Sequence, residues 1–240
     1  MTALVAAVLG LGVGLLVDRA ARRFPWAPRK RSWSWGRNTP DDDGASPLQL
    51  HDRGGADRGG LLPPAVTAIL TAVLFALGGL RFGLVWELPA FLVLAGVAVL
   101  LTLIDLKHHL LPDRVVLPAI GAGAGLLAVA AAIEGSVAAF VRAGTAAVVL
   151  FVVFLVLALI APSGLGMGDV KLAALLGLHM GWLGWEVVVL GAAAGFVVQA
   201  VLALALLATR RVGLKGELPF GPAMLLGAAL AIGWSSAVLG

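Results

Sequence analysis

The chain has 240 residues, of which 60% are hydrophobic and only 12% charged, with mean hydropathy +1.02. Soluble domains carry about 25% charged residues, so this composition excludes an ordinary water-soluble domain and makes the bilayer the expected solvent. The formal charge of +4 calls for no nucleic-acid partner, because membrane proteins gather Lys and Arg on one face, and the lack of cysteine excludes disulfides, thiolate zinc sites and a cysteine nucleophile.

A helix needs about 20 apolar residues to cross the hydrocarbon core. Runs near that length fall at 2–17, 62–80, 88–104, 115–133, 143–161, 169–184, 186–208 and 220–238, which predicts an all-α polytopic membrane protein with eight transmembrane helices. The first run has no positive residue ahead of it and Arg19, Arg22 and Arg23 behind it, the pattern of an uncleaved anchor with its N-terminus outside. From that start, the inside connections collect nine Lys and Arg between 18 and 61, then Lys107 and Arg114, then Lys171, then Arg210, Arg211 and Lys215. Only Arg81 and Arg142 are left outside. Losing one span would invert every later loop, so the positive-inside bias supports eight crossings.

The one long connection, 18–61, combines an Asp41-Asp42-Asp43-Gly44 turn with repeated Arg-Gly-Gly and no apolar periodicity. It reads as a flexible cytoplasmic tether rather than a second domain. Its Trp26, Trp33 and Trp35 and its Arg29-Lys30-Arg31 run could lie on an anionic headgroup layer, but a solvated tether that obeys the positive-inside rule is the favoured reading.

The third segment ends in Leu103-Ile104-Asp105-Leu106-Lys107-His108-His109-Leu110-Leu111-Pro112-Asp113, and the sixth opens with Gly164-Leu165-Gly166-Met167-Gly168-Asp169-Val170-Lys171. By the alternation of spans, Asp105 and Asp169 lie on the same side and at similar depth. An ionisable group in a membrane helix costs about 2.5–3.5 kcal/mol at the centre and less near an end, so each is a candidate functional residue. Two carboxylates sharing a partly dry pocket cannot both ionise cheaply, so one keeps a proton while the other is charged. Such a pair can act as general acid and base on a peptide bond without metal or covalent intermediate. Proton or ion transport, and purely structural helix capping, use the same residue types and stay open at this point.

The remaining polar positions have plainer readings. Asp113, after Pro112, is expected to start a helix. Lys171 lies two residues after Asp169, about 200° around a helix, and should reach the interface rather than pair with it. His108 and His109 lack a further ligand set, and His179 is expected to be buried and bonded to a neighbouring helix. Pro219-Phe220-Gly221-Pro222 gives a stiff, non-helical approach to the last segment, suited either to shape a cleft or simply to start a helix. Gly191 and Gly195 offer close helix packing.

Ile104-Asp105-Leu106-Lys107 with Leu111-Pro112-Asp113, then Gly166-Met167-Gly168-Asp169-Val170-Lys171, then Pro219-Phe220-Gly221-Pro222, resembles the type IV prepilin peptidase family in motif order and spacing over 62–240. The resemblance implies that Asp105 and Asp169 are catalytic. It further implies that Gly166, Gly168, Lys171, Pro112, Asp113, Pro219, Phe220, Gly221 and Pro222 are motif and cleft-shaping residues, with no metal or other cofactor. The implied substrate is a type IV prepilin or pseudopilin precursor, with a short basic leader ahead of a hydrophobic helix, cut at the cytoplasmic side of the inner membrane. The GxGD element also occurs in presenilin-like proteases, whose Pro-Ala-Leu signature is absent here. Bifunctional members of the family carry two Cys-x-x-Cys pairs for zinc in the first loop together with methyltransferase activity. Here 1–17 is the expected anchor and 18–61, without cysteine, stands in place of that domain, although Val17-Asp18-Arg19 through Arg23-Phe24-Pro25 faintly resembles its start. Zinc binding and methyl transfer are therefore not expected.

Overall fold

The computed structural model describes residues 1–23, 62–108, 111–161, 165–208 and 219–238. Among these the chain is all-helical: α1 (Thr2–Arg23), α2 (Pro64–Phe82), α3 (Leu88–His108), α4 (Asp113–Glu134), α5 (Val137–Ile160), α6 (Met167–Leu183), α7 (Trp185–Ala208) and α8 (Gly221–Val238). Helices α1 to α5 and α7 are long and apolar enough to cross a membrane, while α6, with 17 residues, and the apolar stretch Gly221–Ser235 of α8 are shorter. Large apolar side chains face outward along them, Val148 63%, Val197 60% and Leu204 69% exposed, as expected where hydrocarbon replaces water. The protein is a multi-pass membrane protein.

Each expected segment corresponds to a helix, but several helices run past the apolar stretch. Helix α1 continues to Arg23 because its last turns are held by an i,i+4 pair, Arg22 Nε donating to Asp18 Oδ2 at 2.7 Å. Helix α5 starts at Val137, six residues earlier than the apolar run, and so takes Arg142 into its second turn. That guanidinium caps the end of α6, donating to the carbonyls of Gly181 (2.8 Å) and Trp182 (2.6 Å). Charge ends a hydropathy window but not a helix whose charged side chains find acceptors.

Helix α6 is the hub. It packs against α4, α5, α7 and α8, and most of its residues are buried, among them Leu172, Ala173, Leu175 and Met180. Small residues allow the approach: a Cβ on Gly177 would stand 2.7 Å from the Ala146 carbonyl oxygen of α5, and one on Gly227 of α8 would stand 2.6 Å from the Cα of Gly195 on α7. The packing role expected of Gly191 and Gly195 is thus seen at the α7–α8 contact. At 17 residues α6 rises about 25 Å, less than the roughly 30 Å of a hydrocarbon core, and in its first turn Met167 is exposed while Asp169 is buried.

His179 is fully buried in α6, as expected; Nδ1 donates to the Leu175 carbonyl of its own helix at 2.9 Å, and the backbone of Ala90 on the neighbouring α3 also interacts with the ring. The ring meets the edge of Phe91 at 5.6 Å and fills the space beside Gly123, where a Cβ would come 2.7 Å from Cε1. The readings for Trp26, Trp33, Trp35, Arg29-Lys30-Arg31 and the tether from 24 on, and for His109, Gly164, Arg210, Arg211 and Lys215, fall outside the described residues.

Candidate active site

Three helix ends meet at one end of the bundle: the last turn of α3 with Asp105, the first turn of α6 with Asp169, and the start of α8 at Gly221. Both carboxylates are buried, Asp105 at 5% and Asp169 at 8% exposure, and Asp105 lies within electrostatic reach of Asp169. An anion at the C-terminal end of α3 is unfavourable, but the N-terminus of α8 stands against it; such dipole ends contribute about 0.3–1 kcal/mol each, so the two nearly cancel. Asp169 has the N-terminus of its own helix.

The GxGD segment folds into a reciprocal cap. Gly166 is the extended N-cap of α6 (φ −86°, ψ 158°); its N–H donates to Asp169 Oδ2 at 3.0 Å, and the Asp169 N–H donates back to the Gly166 carbonyl at 3.0 Å. Asp169 therefore also performs the structural task considered from sequence, with one carboxylate oxygen.

The glycines divide by what they touch. A Cβ on Gly168 would lie 2.7 Å from the Cβ of Leu111, and one on Gly221 would lie 2.6 Å from Oδ2 of Asp105, so both positions exclude any larger residue without displacement. At Gly166 the nearest atom among the described residues, Asp169 Oδ2, would be 3.6 Å away, ordinary contact. Leu111 is the residue the sequence left without a task. It sits against Gly168 and within 3.5 Å of a Cβ on Gly221, and so spaces the three motif segments. Its only signal was its place before Pro112.

Pro112 is buried and serves as the extended N-cap residue of α4 (φ −77°, ψ 129°). Asp113 is the first residue of α4, as expected, but its carboxylate makes no cap; it pairs with Lys171 Nζ at 2.5 Å. Lys171 thus avoids Asp169, as the helical spacing implied, and joins the start of α4 to the start of α6. Phe220 is buried and packs on Phe196 (5.3 Å) and Phe154 (6.2 Å), anchoring the approach to α8. Pro222 falls in the first turn of α8, where a missing N–H costs nothing, and Pro219, half-buried, precedes it. Among the described residues no three His, Cys, Asp or Glu side chains are placed to hold a metal ion.

Residues 92–232 match the type IV leader peptidase family. The chain is 31% identical over 177 residues to the prepilin leader peptidase/N-methyltransferase of Pseudomonas aeruginosa, covering 71% of this chain and 58% of that protein. A protein of the same name from Bacillus subtilis is 31% identical over 186 residues, with 71% of this chain and 66% of that one covered. Leader peptidase HopD of Escherichia coli is 36% identical over 159 residues, 64% of this chain and 97% of that one. The chain thus spans little more than half the length of several curated relatives it matches. No solved structure matches it.

Proposed function

Since the chain belongs to the type IV leader peptidase family, we propose that it is an aspartyl endopeptidase that removes the basic leader from type IV prepilin-like precursors, with 62–240 as the peptidase domain. The observation that carries this reading is the burial of Asp105 and Asp169 together at one end of the bundle, against two helix N-termini. One carboxylate takes a proton from water as the other gives one to the peptide carbonyl, and the tetrahedral intermediate collapses to a new amine and a new acid. The lone Lys and Arg count of the sequence supports an N-terminus outside and a site on the cytoplasmic side of the inner membrane. Family membership favours this peptide chemistry over the proton-relay reading of the same pair.

The test is co-expression with prepilin-like precursors encoded in the same genome, scored by the mobility shift that follows loss of the leader. A ladder of uncut precursors would count against the proposal. The methyltransferase named in two of the relatives is assigned to those proteins; with no cysteine in the chain, labelled S-adenosylmethionine is expected to leave the mature N-terminus unlabelled. Label appearing there would reverse that reading.

The ion pair between Lys171 and Asp113 is exposed, so it adds little stability, about 0–1 kcal/mol. It does tie the segment following Asp105 to the turn carrying Asp169, so its loss shifts the register of the two carboxylates. Lys171→Met is expected to slow processing about tenfold with no change in the thermal midpoint, since misplacement of about an ångström costs up to 10²-fold. The exchange of charges, Asp113→Lys with Lys171→Asp, is expected to restore most of the rate. Full activity in Lys171→Met would show that the pair positions nothing.

A further inference from the structure

On the flank of the bundle α2 and α8 stand apart over α3, and between them lies an apolar cavity of about 430 Å³. Its far end is closed by Arg81, which donates to Ser235 Oγ (3.0 Å) and the Ile232 carbonyl (3.4 Å) and stands 5.1 Å over the ring of Phe82. Its near end is in line with the carboxylates. On α3, Leu94 and Ala98 floor the cavity, and Asp105 follows at seven residues from Ala98, on the same face of the helix. On α8, Leu225 and Ala228 line it, four and seven residues after Gly221, again on the face that touches Asp105.

We propose that this groove receives the hydrophobic helix of the precursor on the C-terminal side of the cleaved bond, an inference that rests on the peptidase reading and names how that site takes its substrate. A chain cut between Asp105 and Asp169 leaves the site along the α3 and α8 faces that bear Asp105 and Gly221, and those faces lead into the cavity. The volume fits: a helix about 10 Å across, sunk to half its depth over about two turns, displaces on the order of 400 Å³. The walls are low where a helix backbone would approach. Among the described residues no atom lies within 4 Å of a would-be Cβ on Gly233, one on Gly78 would meet a leucine methyl at 3.4 Å, and Ala229 is exposed. Small residues of this kind let helices pack closely in a bilayer. A phospholipid is the competing occupant, and Arg81 weighs against it, because the cation that would hold a phosphate is already engaged with Ser235 and Ile232.

The experiment uses the full chain in membranes with a prepilin-like precursor that the wild-type protein shortens. A photo-reactive benzoylphenylalanine is placed at Ala229 or Leu77 in the groove, or at Val148 on the outer face of α5, each with Asp169→Asn to retain uncut precursor. Adducts with the apolar helix of the precursor are expected at Ala229 and Leu77, at least about fivefold above Val148. In the otherwise unaltered protein, Ala229→Trp is expected to raise KM for that precursor about tenfold with kcat unchanged. Lipid adducts alone at Ala229, or equal adducts at Val148, alongside wild-type cleavage, overturn the groove and leave the peptidase reading standing. A wild-type protein that cuts no precursor overturns that reading, and the groove with it.

Discussion

Asp169→Asn is expected to reduce precursor processing by at least about 10³-fold while the protein accumulates and melts as the wild type does. A positioned acid or base contributes about 10²–10⁴ to rate, and an amide at 169 supplies neither. The substitution separates the two tasks the structure gives this residue. The Asn carbonyl can still accept the Gly166 N–H at the start of α6, so the cap survives as the chemistry is lost. Retained processing would make Asp169 a capping residue and end the peptidase proposal. Asp105→Asn is expected to behave alike, and the double variant to be no slower than either single one, because residues acting as a unit are not additive. The measurement is the rate of leader loss at matched membrane levels, with thermal unfolding in detergent as the control.

How much of this was legible in the sequence follows from which forces are local. Apolar runs located every helix among the described residues, because burial in hydrocarbon is read residue by residue. They misplaced the ends of α1 and α5, where Asp18–Arg22 and Arg142 find partners that a hydropathy window does not see. The alternation of spans put Asp105 and Asp169 at one end, and the structure brings them there. What depends on distant segments was hidden: Lys171 was correctly turned away from Asp169, but its partner Asp113 lies 58 positions back. His179 was read as buried, and its Nδ1 bond to the Leu175 carbonyl, one turn back in its own helix, is a local contact that a reading aimed at neighbouring helices did not include. The glycines were the least legible. Gly166, Gly168 and Gly221 look alike in a motif, and only the tertiary neighbours show that the first has room and the other two do not.

Gly221→Ala is the second large effect, and it is expected to fall on activity far more than on stability. The added methyl would stand 2.6 Å from Oδ2 of Asp105 and 3.4 Å from its Cγ. The carboxylate is the end of a short side chain and gives way before backbone does, so the strain left in the bundle is about 1–3 kcal/mol, the usual range for an added methylene in a packed core. A catalytic group moved by about an ångström costs on the order of 10² in rate. Processing should therefore drop about a hundredfold, chiefly in kcat, with a thermal midpoint lowered by only a few degrees. Gly166→Ala is the matched control: among the described residues its methyl would meet nothing nearer than 3.6 Å, and the weaker N-cap preference of alanine costs about 1 kcal/mol. That variant should keep most of its activity. Equal losses at 166 and 221 would mean that the motif glycines act through backbone freedom, and would remove contact with Asp105 as the reason for a glycine at the start of α8.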